Sequence, residues 1–217
     1  MLKRILSFLR PALVLLAVFL GLGFAIIAYQ GIRTLQQLTA VEAERDRWQR
    51  PSDIIRALNL TQGNTVVDLG SGSGYFALKL SSVVGSGGTV YAVDIRRLPL
   101  RFLWVRSLIR RQHNVRTMLG ESDNSHLPYS AVNAVLIANT YHELDNPRAT
   151  LDQVFQSLVS GGRLVVVDPV HTEHGEVSPS SVETELRSRG FEIVRREDRF
   201  LTQPARGPWW LIIARKP

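Results

Sequence analysis

The sequence predicts a doubly wound α/β domain, with a mostly parallel seven-stranded sheet and a C-terminal antiparallel hairpin, preceded by one transmembrane helix. After residue 64, short Val/Ile/Leu runs alternate with helical segments, as in sheets that are covered on both faces. A glycine-rich loop joins the first of these runs to a helix. Near the N-terminus, about 19 consecutive residues carry no charge, which is the length of a membrane span.

Composition excludes several classes of function. The 217 residues contain no cysteine, so disulfides, thiolate metal sites, iron–sulfur clusters and a cysteine nucleophile are absent. Residues 1–50 carry seven basic and three acidic side chains, and residues 51–217 carry nineteen and sixteen, so the two parts have net charges of +4 and +3. A domain this mildly basic lacks the footprint of a nucleic-acid-binding protein, and we do not expect nucleic acid as a partner.

The N-terminal region is predicted to hold a membrane anchor. A basic segment, 1–10, precedes the apolar run 11–29, whose helix would extend roughly 28 Å and match the hydrocarbon core of a bilayer. The alternative is a cleaved signal peptide, but the run is longer than the usual apolar region and no clean A-x-A site follows it. Basic residues flank both ends, so their count does not decide the orientation.

A helical stalk is predicted between the anchor and the domain. Within 30–50, apolar residues recur at helical spacing, and the helix should end before Pro51. The globular domain therefore covers 51–217.

Within that domain, strands and helices alternate. The predicted strands are 65–70, 88–95, 115–119, 132–138, 163–168, 191–198 and 209–215. The predicted helices are 74–84, about 99–112, 147–159 and 178–189. No helix separates the last two strands, so one of them must be antiparallel. In such sheets, ligands bind at the carboxyl ends of the strands, near the point where the strand order reverses.

The loop after the first strand has the character of a nucleotide site. It runs from Asp68 through Gly70, Gly72 and Gly74 directly into a helix. Glycines allow positive φ and let a ligand approach bare main chain, and the helix start presents unpaired N–H groups. Asp94 ends the next strand, where a carboxylate can accept both hydroxyls of a ribose.

Two cofactor classes compete for this loop. A dinucleotide site favours a third glycine at position 75, which is occupied by Tyr75. Asp68, two residues before the first glycine, suits a cofactor with a positive ammonium group and disfavours a pyrophosphate. The chemistry therefore favours S-adenosylmethionine, with its amino group near Asp68 and its ribose at Asp94.

Four segments carry a resemblance to a known family. DLGSGSGYF, VYAVDI, GESDNSHLP and LIANTYHELDNP resemble, in this order, the motifs of class I S-adenosylmethionine-dependent methyltransferases. The resemblance covers about residues 44–217, and RDRWQRPSDII resembles the lead-in of a bacterial subgroup. It implies a Rossmann-like methyltransferase fold. It also implies cofactor contacts from Asp68, Gly70, Ser71, Gly72, Gly74, Asp94, Ile95, Asp123 and Asn139, with Asp123 at the adenine amino group and Glu121 and Asn124 as near alternatives.

The segment after the fourth strand holds the candidates for chemistry. Methyl transfer to carbon or oxygen commonly needs a base, whereas amines need little more than positioning. His142 is the candidate base, and Tyr141 could shape or hydrogen-bond the pocket. Asn139 stands where many relatives carry Asp, which weakens a cationic-acceptor interpretation. Glu143 suits a helix-dipole role, and Asp168, at the end of the following strand, either lines the pocket or forms a turn with Pro169.

No metal site is expected. His171 and His174 lie near Glu173 and Glu176, but a polar loop of this kind is better interpreted as a solvated segment.

The helix over 97–111 has an arginine-rich character. Seven arginines and no acid lie between Ile95 and Gly120. We expect Leu98, Phe102, Val105 and Ile109 to face the sheet and Leu100, Trp104 and Leu108 to form an outer stripe with Arg97, Arg101 and Arg111. Such an outer stripe suits an anionic bilayer, and the alternative is a solvated helix with Trp104 against a neighbour.

Together these features predict a membrane-anchored methyltransferase that uses S-adenosylmethionine. The acceptor is expected to be a small or amphipathic molecule, quinone-like for example, as the resemblance to ubiquinone and menaquinone methyltransferases implies. The domain is placed on the cytosolic side, where the cofactor is made; the alternative is export with a cleaved signal. The rival functions are an inactive cofactor-binding or scaffold module and a nicotinamide-dependent oxidoreductase, which would need the missing third glycine and a Tyr-x-x-x-Lys pair.

Overall fold

The structure, a computed structural model, describes residues 2–121, 126–172, 175–203 and 207–217, with side chains from residue 14 onward. The described chain divides into two compact units, one up to Ala43 and the other Glu44–Pro217.

The N-terminal helix is long and apolar. Helix α1 covers Leu2–Trp48 and continues without a break through the predicted span, 11–29, and the predicted stalk. Val14–Trp48 contains a window with a mean hydropathy of 2.1, none of which is buried. By length and composition this helix is a candidate membrane span, and a signal sequence near an N-terminus satisfies the same criterion.

The second unit alternates strands and helices from Pro51 onward. Its helices are α2 (Pro51–Ala57), α3 (Tyr75–Val84), α4 (Arg97–Ile109), α5 (Pro147–Ser157) and α6 (Pro179–Ser188). Its strands are β1 (Thr65–Leu69), β2 (Thr89–Asp94), β3 (Val115–Leu119), β4 (Val132–Ala138), β5 (Leu158–Pro169), β6 (His171–Thr172), β7 (Gly175–Glu176), β8 (Glu192–Gln203) and β9 (Gly207–Arg215).

Seven of these strands form one sheet in the order β3-β2-β1-β4-β5-β9-β8. Strands β1 to β5 pair in parallel, whereas β9 lies antiparallel to β5 and to β8. The prediction of a mostly parallel, seven-stranded sheet with a C-terminal antiparallel hairpin is therefore confirmed. The strand order reverses between β1 and β4, which opens a crevice at the carboxyl ends of these strands.

The strands alternate their side chains between two buried layers. Val66 and Trp209 belong to the core cluster on the α2–α3–α4 face, and their neighbours Val67 and Trp210 belong to the cluster on the α5–α6 face. A strand that buries both alternate sets of side chains needs apolar residues at every position, which explains the continuous Val/Ile/Leu runs.

Several boundaries differ from the sequence prediction, most of all at the start of β5, which begins at Leu158 instead of residue 163, and at the end of β8, which extends to Gln203 instead of residue 198. Helix α5 ends at Ser157, two residues before the predicted end, because the chain enters the ladder at Leu158, which pairs with Val132. The register then shifts across Gly161, which has φ +78°, before the regular pairing resumes at Arg163. Strands β6 and β7 form a two-stranded ribbon within the predicted polar loop.

The predicted orientation of helix α4 is confirmed in part. Trp104 and Leu108 are exposed, as are the three arginines predicted beside them, Arg97, Arg101 and Arg111, but three other residues lie on the side opposite to the prediction. Leu98 and Ile109, expected to face the sheet, are exposed, whereas Leu100, expected outside, is buried. The buried arc also contains Leu103, Arg106 and Ser107. The inner face of α4 contains two polar residues, Arg106 and Ser107, and the outer face contains large apolar residues. The hydrophobic pattern therefore does not indicate which side of the helix is buried.

Candidate functional site

A cleft opens at the carboxyl edge of the sheet, where the strand order reverses. The cavity within it has a volume of about 130 Å³. It is lined by Leu69, Gly70, Val93, Asp94, Ile95, Arg96, Gly120, Glu121, Thr140, Glu143, Leu144, Asp145 and Thr150. Residues after β1, β2, β3 and β4 thus converge on one space.

The glycine loop between β1 and α3 needs its glycines for two reasons. Gly70, Gly72 and Gly74 all have positive φ, at +79°, +53° and +92°. A Cβ on Gly70 would collide with the Thr140 side chain, and one on Gly74 would collide with Leu103. By contrast, a Cβ on Gly72 would meet nothing within 4 Å, so the main chain there borders open space.

Hydrogen bonds fix this loop from two sides. The backbone N–H groups of Gly70 and Ser71 both donate to the Val93 carbonyl, at 2.8 and 2.9 Å. The Gly72 N–H donates to Oδ2 of Asp94, at 2.8 Å. From the opposite side, Arg106 of α4 donates through Nη1 to a carbonyl of the loop, that of Ser73. The loop is therefore held by the end of β2 and by helix α4.

Asp94 is a buried carboxylate that is held in its charged form. Arg96 donates to it from its backbone N–H at 2.9 Å and from Nε at 3.0 Å. Burial alone would raise the pKa of Asp94, but the hydrogen bonds from Arg96 and Gly72 outweigh it and lower the pKa below its usual value. The Arg96 side chain is 59% exposed and is free to swing towards solvent. The carboxylate can therefore exchange that partner for ligand hydroxyls.

Asp68 lies behind the glycine loop, in a fully buried position. Its carboxylate is held by the backbone N–H of Ala77, but Oδ2 has no hydrogen-bond partner among the described residues. Burial raises the pKa of Asp68 to about 7, against the opposing effects of Ala77 and Arg45. A cation that binds near a buried acid of this kind stabilises its ionised form.

Two further buried polar atoms lie beside the glycine loop. Oγ of Ser71 and Oδ1 of Asn139 are buried and lack a hydrogen-bond partner within the described part of the chain. Asn139 follows β4 with φ +58°, and its N–H donates to the Val167 carbonyl at 2.8 Å. Because unpaired buried polar atoms are costly, these atoms fit a polar ligand at the site.

His142 and Asp168 form a buried pair at the ends of β4 and β5. Nδ1 of His142 lies 3.0 Å from Oδ2 of Asp168, which also accepts the His142 backbone N–H at 2.9 Å. Burial raises the pKa of Asp168, and its bonds with His142 act in the opposite direction. Nε2 of His142 lies 3.9 Å from Oε1 of Glu143, a residue of the cleft wall. The histidine therefore stands one residue behind the cleft, fixed in orientation by Asp168.

Tyr141 is placed in the core. Its ring packs edge-on against Trp210, with the ring centroids 6.2 Å apart. Burial raises the pKa of its phenol to about 12, so the hydroxyl stays protonated at neutral pH.

Not all the predicted site residues line the cleft. Gly70, Asp94 and Ile95 do, whereas Asp68, Ser71, Gly72, Gly74, Asn139, Tyr141 and His142 surround the loop or lie behind the wall. Asp123 and its alternative Asn124 lie outside the described residues; the other alternative, Glu121, lines the cleft. The cleft is also lined by four residues that the sequence did not predict, although they follow β4 closely: Glu143, Leu144, Asp145 and Thr150. Within the described ranges, no three His, Asp or Glu side chains are grouped to hold a metal ion.

Comparison with known families gives one domain-wide match. Residues 60–201 match the family described as "Methyltransferase domain", from just before β1 into β8.

Curated relatives match only in part. The chain is 27% identical over 124 residues to a protein-L-isoaspartate O-methyltransferase of Ignicoccus hospitalis, covering 56% of this chain and 54% of that protein. It is 26% identical over 106 residues to a ubiquinone/menaquinone biosynthesis C-methyltransferase of Wigglesworthia glossinidia brevipalpis, covering 48% of this chain and 42% of that protein. The chain thus spans about half the length of the curated relatives it matches, and those relatives methylate different acceptors.

Among solved structures, a SAM-dependent methyltransferase from Aquifex aeolicus superposes with a TM-score of 0.67. The alignment is 22% identical and covers 83% of this chain and 97% of that one. This likeness confirms the fold of the sheet and its helices.

The glycine loop predicts a graded response to alanine. Gly70→Ala combines a disfavoured φ, costing about 1–2 kcal/mol, with a collision against Thr140 that adds about 1–3 kcal/mol. Gly63→Ala is the matched control, because Gly63 has φ +85° and nothing within 4 Å of an added Cβ. We expect denaturant unfolding to show the larger loss of stability for Gly70→Ala. Equal losses would contradict the packing of the loop against Thr140.

Proposed function

The chain belongs to the methyltransferase-domain family, whose cofactor is S-adenosylmethionine, and we propose that it transfers the methyl group of that cofactor to a small or amphipathic acceptor at a membrane. The observation that supports this most directly is Asp94. This buried, ionised carboxylate at the end of β2 lines the cleft and holds the glycine loop through the Gly72 N–H.

The residues around the cleft fit the cofactor group by group. Asp94 would hold the ribose hydroxyls, and the main chain at Gly72, which borders open space, would lie against the amino-acid part. Asp68 supplies a nearby buried carboxyl for the positive charges, and the unpaired Oδ1 of Asn139 supplies an acceptor. Asp123 remains our proposed partner for the adenine amino group. When bound, S-adenosylmethionine supplies an electrophilic methyl carbon.

His142 is the proposed proton acceptor for a hydroxyl or carbon acid. The contact between Nδ1 and Asp168 fixes the orientation of the ring, and in the tautomer that carries its proton on Nδ1 the basic lone pair is on Nε2. Nε2 faces Glu143 in the cleft wall, so a proton leaving the cleft has a short route to it. The Tyr141 ring packs against Trp210 in the core and precedes His142 in the chain. We propose that Tyr141 helps to position His142 and does not take part in the chemistry.

We also propose where the enzyme is located and which kind of acceptor it methylates. The apolar helix α1 is a membrane-span candidate, which supports an anchored enzyme. An anchored enzyme meets acceptors in or near the bilayer at high effective concentration. The partial match to a ubiquinone/menaquinone C-methyltransferase supports an amphipathic, quinone-like acceptor. We propose the cytosolic face because the cofactor is made there.

Asp94→Asn should weaken cofactor binding. Loss of charge-assisted hydrogen bonds costs about 1.5–3 kcal/mol, so we expect the Kd for S-adenosylmethionine to rise about 10- to 100-fold. Calorimetry measures this directly, with Asp198→Asn on β8 as a matched control that also loses an arginine-paired carboxylate. Unchanged affinity in Asp94→Asn, or binding of NAD instead of S-adenosylmethionine, would refute the assignment.

Asp68 should make cofactor affinity depend on pH. Its pKa of about 7 means that it is largely protonated at pH 5.5, whereas a bound cation favours the ionised form. Affinity should therefore rise as pH increases, about tenfold between pH 5.5 and 7.0. Titration of wild type and Asp68→Asn at both pH values measures this, and the asparagine variant should lose the dependence. A variant that keeps the full dependence would exclude Asp68 as its source.

His142→Ala should separate turnover from binding. We expect kcat to fall by about 10²- to 10⁴-fold while the Kd for S-adenosylmethionine is retained. The assay follows radiolabelled methyl transfer into membrane extracts of the source cells, with His171→Ala, an exposed histidine, as control. Binding without any methyl consumption by the wild-type protein would instead favour a scaffold function.

A further inference from the structure

The exposed apolar side chains of the second unit are concentrated at one place. Eight large apolar residues in the described part of Glu44–Pro217 are exposed, and five of them lie on or just before helix α4. These five are Ile95, Leu98, Trp104, Leu108 and Ile109, with exposed fractions between 45% and 66%. A sixth, Leu119, pairs with Asp94 in the β2–β3 ladder, next to Ile95. Such clustering on an otherwise polar surface marks an interaction site.

Arginines are interleaved with these apolar residues. Arg97, Arg101 and Arg111 are exposed, and the sequence from Ile95 to Gly120 contains no acid. At 100° per residue, Trp104, Arg97, Leu108, Arg101, Leu98 and Ile109 follow one another around a single side of the helix. We call these six residues, with Ile95 and Arg111, the α4 outer face.

The opposite side of α4 accounts for this exposure. Leu100 and Leu103 pack in the core, and Arg106, 4% exposed, reaches the Ser73 carbonyl of the glycine loop. Rotating the helix to bury Leu98 or Ile109 would break that hydrogen bond and expose Leu103. The apolar residues of the outer face therefore stay exposed within this unit, as expected of a surface that binds something outside it.

We propose that the α4 outer face docks on the surface of an anionic bilayer. Apolar side chains that insert into the headgroup region, surrounded by arginines that attract anionic lipid, are the combination that holds a helix in the interface. The chain carries its own membrane-span candidate in α1, and a tethered domain needs only weak surface affinity to dock. A protein partner matching this face would need an acidic side chain opposite each arginine, whereas an anionic bilayer supplies negatively charged headgroups across its whole surface.

Docking at this face brings the cleft to the lipid surface. Ile95 and Arg96 line the cleft and lead directly into α4. The cleft mouth thus borders the docked face, and an acceptor with an apolar body can enter from the bilayer without crossing water. This consequence for the acceptor rests on the proposed function, whereas docking itself does not.

The absence of cysteine makes a direct test possible. We would place a single cysteine at Leu108, label it with an environment-sensitive fluorophore, and reconstitute the full chain into vesicles with 30% anionic lipid or none. Symmetric vesicles make the orientation of the chain irrelevant. A label at Val194, which is 50% exposed on β8 at the other edge of the sheet, is the matched control.

The expected result is a blue-shifted emission at Leu108→Cys, quenched by lipid-borne nitroxides, in anionic vesicles and not at Val194→Cys. Arg97→Glu, Arg101→Glu and Arg111→Glu together should abolish the shift and the quenching. Arg148→Glu, Arg195→Glu and Arg199→Glu, exposed arginines elsewhere with the same change in net charge, should leave both intact. If the label at Leu108 stays in water in every vesicle, the proposal is overturned. That is the result expected if the natural partner of this face is a protein, because no partner protein is present in the vesicles. Equal effects of the two triple variants also overturn the proposal.

Cofactor binding on the same vesicles separates this inference from the proposed function. The outer-face variant should bind S-adenosylmethionine with wild-type affinity, because none of its three changed residues lines the cleft. Docking without cofactor binding would refute the proposed function alone, and cofactor binding without docking would refute only the docking surface.

Discussion

The hydrogen bond from the Gly72 N–H to the Asp94 carboxylate is the constraint on which the site depends. It joins the loop after β1 to the end of β2, so one carboxylate both shapes the loop and faces the cleft. Fixing the loop glycines in one conformation costs conformational entropy, which this bond and the bonds to the Val93 carbonyl help to offset. The same carboxylate is kept ionised by Arg96, an exposed side chain that a ligand can displace.

Helix α4 connects this loop to the surface. Its inner side holds the loop through Arg106 and Leu103, while its outer side carries apolar residues and arginines. Because one rigid helix carries both features, the position of the cleft relative to a docked bilayer follows from the fold. The apolar helix α1 would then restrict the enzyme to acceptors that a membrane can deliver.

The sheet could be predicted from the sequence, because continuous Val/Ile/Leu runs are typical of parallel strands that are buried on both faces. The loop glycines and Asp94 could be predicted as well, because they directly follow two of those strands. For α4 the prediction was correct for Trp104 and Leu108 but wrong for Leu98, Leu100 and Ile109. The helix buries Arg106, which donates a hydrogen bond to the Ser73 carbonyl that no periodicity reveals. The pairing of His142 with Asp168 joins the ends of two strands 26 residues apart, so only the register of β4 against β5 brings it about. Glu143 was expected to interact with the helix dipole, whereas it lines the cleft together with Gly70 and Thr140, a placement that depends on tertiary packing.

The decisive experiment is a crystal structure of the chain with S-adenosylhomocysteine, the demethylated cofactor. We expect the ribose hydroxyls on the Asp94 carboxylate, the Arg96 side chain displaced from it, and the Gly72 bond to Asp94 retained. A nucleoside bound elsewhere, or density in the cleft with Arg96 still closed on Asp94, would contradict this expectation.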